Sequence, residues 1–99
     1  MNWKDVSGFF DSDLVYKLAT KTFPEGSTFV EIGSWMGRST CCLGQLIKDS
    51  KKDIKVYAVD TFEGSEEHWQ LIKEIEENST SLLEIFKKNS SLCGVDHVI

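Results

Sequence analysis

Thr28-Phe-Val-Glu-Ile-Gly-Ser-Trp-Met-Gly-Arg-Ser-Thr40 is followed, one helical stretch later, by Ile54-Lys-Val-Tyr-Ala-Val-Asp60. The first segment opens with a β-branched and aromatic run, Thr28 to Ile32, and passes into a loop with glycines at 33 and 37. The second is nearly continuous in apolar character, as a parallel strand buried on both faces should be, and it closes on one carboxylate. Between them, from Gly37 to about Lys48, Cys42, Leu43, Leu46 and Ile47 recur at helical spacing. Gly44 interrupts that face, and its missing side chain would let the helix lie close on the sheet. Strand, helix and strand in so short a span require a parallel, right-handed crossover. A glycine loop after one strand and an acid after the next is how a doubly wound α/β sheet holds an adenosine-containing ligand. Backbone amides and the helix N-terminus meet the ligand's charged end, and the acid accepts hydrogen bonds from ribose hydroxyls.

Upstream, Asp11 or Ser12 is positioned to cap a helix reaching about Lys21, whose Leu14, Val15, Leu18 and Ala19 form one stripe expected to be buried. Phe23-Pro-Glu-Gly-Ser27 then breaks the chain. Downstream of Asp60, the loop Thr61-Phe-Glu-Gly64 leads to Ser65, a cap for a helix from about Glu66 to Glu77 with Trp69, Ile72 and Ile75 on one side. Trp69 reads as core. Leu82, Leu83 and Phe86 mark another helix to about Ser90, Gly94 ends it, and Val95-Asp-His-Val-Ile99 reads as a third strand cut short. The expected fold is one α/β domain over residues 1–99, with a parallel sheet of strand order 3-2-1. Strand one is then an edge with unpaired backbone groups.

A chain of 99 residues is one domain at most and buries about two-thirds of the surface its unfolded form exposes. Its net charge of -5 speaks against a nucleic-acid backbone as the main partner. Lys48, Lys51 and Lys52 are interrupted by Asp49 and Asp53 and read as a solvated helix end. With no apolar stretch long enough for a signal peptide or a membrane span, the cytoplasm is the expected compartment. The three cysteines show no metal or redox spacing and read as small buried residues. His68 and His97 lack metal-spaced companions and are expected to be structural or solvent-facing, so no metal site is expected. Arg38 reads as a surface helix residue.

Three ligand classes use a strand, a glycine loop and a helix. Gly33-Ser-Trp-Met-Gly37-Arg-Ser39 is one residue too short for a triphosphate-binding loop and carries Arg38 where lysine must reach the phosphates. A dinucleotide fingerprint needs glycine where Trp35 stands, and that ring would obstruct the pyrophosphate, although Asp60 suits an NAD ribose. S-adenosylmethionine carries an adenosine without phosphates, and a loop with fewer glycines preceded by an acid is adequate for it.

On these residues, Val30-Glu-Ile-Gly-Ser-Trp-Met-Gly-Arg-Ser-Thr40 with Val59-Asp-Thr-Phe-Glu-Gly-Ser65, the chain resembles class I S-adenosylmethionine-dependent methyltransferases. It is especially similar to the small-molecule O-methyltransferase-like group, whose first motif reads E-I-G-S-x-x-G-R-S-T, over roughly Phe29 to Ile99. The resemblance implies a Rossmann-like three-layer α/β/α sandwich of about seven strands, of which this chain supplies the N-terminal half. It implies S-adenosyl-L-methionine as cofactor and a small-molecule acceptor methylated on oxygen. Glu31 matches the acid that organises the glycine loop and the ligand's amino-acid end. Gly33, Ser34 and Gly37 match the loop beside the methionine part, Asp60 the ribose-binding acid, and Thr61 and Phe62 the positions beside adenine. The acceptor site and any base or metal-binding acids lie on later strands in the family, so no catalytic residue is assigned. Two alternatives stand beside this reading. One is a non-catalytic remnant that binds the cofactor or a nucleotide and completes its sheet by homodimerisation through the exposed edge; the other, less favoured, is an NAD-binding domain.

Overall fold

The computed structural model of the protein describes residues 1–64 and 68–97. A short 3-10 turn at Trp3–Asp5 precedes α1 (Asp13–Thr22), β1 (Thr28–Ile32), α2 (Arg38–Ser50), β2 (Lys55–Val59), α3 (Trp69–Glu77) and α4 (Leu82–Leu92). β1 and β2 pair in parallel, Thr28 opposite Lys55 through Ile32 opposite Val59, so the strand–helix–strand crossover is present.

The helix α2 is the centre of the molecule. One side packs on the sheet through Leu43, Ile47, Ile54 and Val56, with Tyr16 and Phe29 alongside. Fully burying an aliphatic side chain of this kind contributes about 1.5–3 kcal/mol. A second cluster of Val6, Met36, Cys41, Ile75, Leu82, Cys93 and Val95 joins α2 to the N-terminal segment and to α3 and α4. Gly44 is needed on this side: a Cβ there would lie 2.7 Å from Cβ of Val95. The close approach expected at Gly44 is therefore to Val95 rather than to the sheet. All three cysteines are buried and unpaired, with Cys41 and Cys93 in the second cluster.

Several expectations need correction. Leu14 and Leu18 are 73% and 65% exposed, and Val15 is exposed as well, so the α1 stripe is not buried. The helix turns Thr20 and half-buried Tyr16 inward, and Val15 and Ala19 line an open groove of about 510 Å³ along β1. β2 is covered on one face only. Val56 is buried, whereas Tyr57 and Val59, like Val30 and Ile32 on β1, stand exposed on the opposite face. Among the described residues the sheet thus has two strands with helices on one side, where order 3-2-1 and three layers were expected. Val95 to His97 are not a strand; Val95 is buried against α2, and residues 98 and 99 lie outside the described residues. So do Ser65, Glu66 and Glu67, on which the cap and first turn of the helix before Glu77 were placed. Trp69, expected in the core, is 63% exposed, and Lys73 Nζ lies 5.6 Å from its ring centre.

The basic residues after α2 include one structural clamp. Lys52 Nζ donates to the carbonyls of Thr20, Lys21 and Phe23 at 2.8–3.0 Å, satisfying acceptors at the C-terminus of α1 where a cation is favoured. No helix among the described residues is long and apolar enough to cross a membrane.

Candidate functional site

The parallel register carries β1 and β2 side by side to their C-terminal ends, and Gly33 N–H extends the ladder by donating to the Val59 carbonyl at 2.9 Å. The chain then leaves β1 through Gly33, with φ +87°, and enters α2 through Gly37, with φ +99°. These conformations favour glycine, and at Gly37 a Cβ would also press to 3.1 Å from the Phe86 ring. Asp60, directly after β2, turns back into this loop. Its Oδ2 accepts the N–H groups of Ser34 and Trp35 at 2.7 and 2.9 Å, and its Oδ1 accepts that of Phe62 at 2.9 Å. The two sequence blocks are thereby one corner. Burial tends to raise the Asp60 carboxyl pKa. Hydrogen bonds from the backbone of Phe62, Trp35, Ser34 and Thr61 outweigh that and hold it below the ordinary value.

Glu31 is placed differently. It is 7% exposed on the α2 face of β1, accepting the Tyr16 hydroxyl at 2.5 Å and, through its other oxygen, the hydroxyl of Thr40. Tyr16 comes from α1 and Thr40 from the first turn of α2, so one buried carboxylate fastens both helices to the strand. Burial, reinforced by the hydrogen bond to Glu31 and its charge, raises the Tyr16 pKa and keeps the phenol protonated as a donor. Neither partner of Glu31 was evident in the sequence.

Of the remaining expected positions, Thr61 is exposed and its hydroxyl accepts the Glu63 N–H. Phe62 adopts φ +57° and packs its half-buried ring on Phe86, 5.1 Å between centres. Ser34 is 2% exposed and its Oγ has no hydrogen-bond partner among the described residues. The first turn of α2, starting beside it, has no side-chain cap. A buried hydroxyl without a partner among the described residues, helix amides with no side-chain cap and the bare backbone at Gly33 fit the polar end of a small ligand. Sequence reading missed two neighbours. Trp35, with φ +49°, stacks on His68 with ring centres 4.3 Å apart, and Arg38 is half-buried, bonded to the N-terminal segment, so it is not the surface residue expected.

A family model described as a methyltransferase domain matches residues 30–97, which include the C-terminal part of β1, the loop, β2 and Asp60. No curated protein and no solved structure matches the chain.

Proposed function

This chain belongs to the methyltransferase-domain family, and we propose that it supplies the S-adenosylmethionine-binding half of a methyltransferase acting on a small molecule, with oxygen as the acceptor atom. The observation that carries the reading is Asp60 holding the Ser34 and Trp35 amides, which joins the glycine loop and the acid into one corner at the strand ends. When bound, S-adenosylmethionine supplies an electrophilic methyl group on a sulfonium.

The chain's own residues divide the binding work. The Ser34 hydroxyl and the open backbone at Gly33 lie beside the amino-acid end of the ligand, while the Gly33, Ser34 and Gly37 amides hold the loop itself through the Val59 carbonyl, Asp60 and the Ser34 carbonyl. Asp60 Oδ2 takes the Ser34 and Trp35 amides and Oδ1 that of Phe62, so Oδ1 is the less engaged oxygen and the one offered to a ribose hydroxyl. Thr61 and Phe62 flank the adenine position. Glu31 acts from behind the loop, through Thr40 and the first turn of α2, as an organiser of the site. S-adenosylhomocysteine at about 100 times its Kd is expected to add about 2.7 kcal/mol of stability, seen as a rise in Tm that NAD does not produce and that Asp60→Ala abolishes. No rise with the unaltered chain would remove the reading.

The homodimer reading has one observation in its favour. Lys55 N–H donates to the Ser27 carbonyl and Gly33 N–H to that of Val59, so the odd-numbered residues of β1 face β2. The backbone groups of Thr28, Val30 and Ile32 therefore point to the open edge, beside a bare apolar face. Sedimentation showing a stable monomer at micromolar concentration would count against pairing of two copies there.

A further inference from the structure

The first eight residues are strapped to the helix that follows the glycine loop. Met1 donates its terminal amine to the Leu92 carbonyl at 3.1 Å, and Trp3 N–H donates to Gln45 Oε1 at 3.0 Å. Gln45 Nε2 in turn donates to the carbonyls of Met1 and Cys93. Asn2 and Asp5 close the turn reciprocally, and Val6 is buried in the core. The strongest fastening is Arg38, one residue after Gly37. Its Nη1 donates to the carbonyls of Lys4 and Val6 at 2.7 and 2.8 Å, and its guanidinium lies 5.1 Å from the centre of the Trp3 ring. Charged donors of this kind make the stronger hydrogen bonds, and a planar cation over an indole adds to them. Its buried Nε has no partner among the described residues, so the hold depends on Nη1 and the ring.

The strap ends against the loop. Gly8 has φ +137°, and a Cβ there would sit 3.4 Å from Cδ1 of Trp35 and 3.7 Å from Cβ of Arg38. The Trp35 ring is thus bounded by Gly8 on the strap, by Gly64, where a Cβ would lie 3.3 Å from its Cζ3, and by His68. Its backbone N–H is one of the two loop amides that Asp60 holds. We propose that Arg38 is a positioning residue: by fastening residues 1–8 to α2 it seats Gly8 against Trp35, which fixes the left-handed Trp35 and keeps the Ser34 and Trp35 amides on Asp60. The inference rests on the proposed cofactor site for its functional consequence and on the geometry alone for its mechanical part.

The test compares the unaltered chain with Arg38→Gln, Trp3→Ala and the double variant. Hydrogen exchange is measured without ligand, and S-adenosylhomocysteine affinity by calorimetry. Trp3→Ala loosens the strap without changing any residue of α2 and serves if Arg38→Gln does not fold. Each single variant is expected to raise exchange in residues 2–8 and at the Ser34 and Trp35 amides and to weaken binding about tenfold, the size of a moderate coupling. The double variant is expected to be no worse than the single ones. Strap exchange that rises while the Ser34 and Trp35 amides stay protected overturns the proposal. So does weaker binding in Arg38→Gln with Trp3→Ala unaffected, since Arg38 would then act on the ligand itself. If the unaltered chain binds nothing, the cofactor reading fails, while exchange at the loop amides still decides whether Arg38 positions them.

Discussion

The two acids at the strand ends, Glu31 on β1 and Asp60 after β2, hold opposite kinds of partner. Glu31 is buried and takes two side-chain hydroxyls, one from each flanking helix, so it joins secondary-structure elements to each other. Asp60 is only partly buried and takes backbone amides, so it shapes a loop in which the Ser34 hydroxyl is left without a partner among the described residues. A buried acid with both oxygens engaged serves the scaffold first. An acid that holds amides at the open end of a sheet shapes the loop there, and the ligand role proposed for Asp60 rests on that loop.

The comparison can be broken by mutation. Glu31→Ala is expected to have the largest effect on folding, about 3 kcal/mol, because the Thr40 and Tyr16 hydroxyls lose their acceptor away from water. Urea denaturation measures it, and a loss below about 1 kcal/mol would mean the hydroxyls find other partners. Asp60→Asn is expected to cost less, about 2 kcal/mol, since the amide group retains one acceptor oxygen, and to remove stabilisation by S-adenosylhomocysteine as well.

The pH dependence separates the acids further. The Asp60 pKa is lowered on folding, so its contribution to stability is full above the unfolded carboxyl value, about 4, and is lost as pH falls through the lower folded value. Urea midpoints followed from pH 7 to pH 3 are expected to drop less steeply in Asp60→Asn than in the unaltered chain. The smallest effect is expected for Thr40→Val, about 1 kcal/mol, with S-adenosylhomocysteine affinity falling only a few-fold. A loss of affinity as large as that of Asp60→Asn would make Thr40 part of the binding surface.

What the sequence made legible is what depends on neighbours within a few residues. The Thr28 to Ile32 run, the glycine loop, the helix to about Lys48 and the strand ending at Val59 follow from periodicity and turn chemistry, and the structure contains them in parallel register. The misreadings came where an apolar pattern shows that a face can be buried without showing what covers it. Among the described residues, Leu14 and Leu18 have the right spacing but no sheet beyond β1 to pack on, and Tyr57 and Val59 have no helix over them. Val95 looked like a strand residue and instead fills the gap at Gly44. At the site, Glu31 and Asp60 stood out as acids at strand ends. Their different partners were not visible, because Tyr16 carries no motif and the motif that contains Ser34 and Thr40 does not say which acid each of them bonds. Arg38 was misread for the same reason: its acceptors are carbonyls of Lys4 and Val6, more than 30 positions away.

The most direct measurement is a calorimetric titration of S-adenosylhomocysteine into the unaltered chain and into folded Asp60→Asn and Glu31→Gln, all below their unfolding temperatures. The expected result is saturable binding by the unaltered chain, loss of at least tenfold in affinity for Asp60→Asn, and a change of no more than about threefold for Glu31→Gln despite its lower stability. Equal losses in both variants, or no binding by the unaltered chain, would contradict the division between a scaffold acid and a ligand-facing acid.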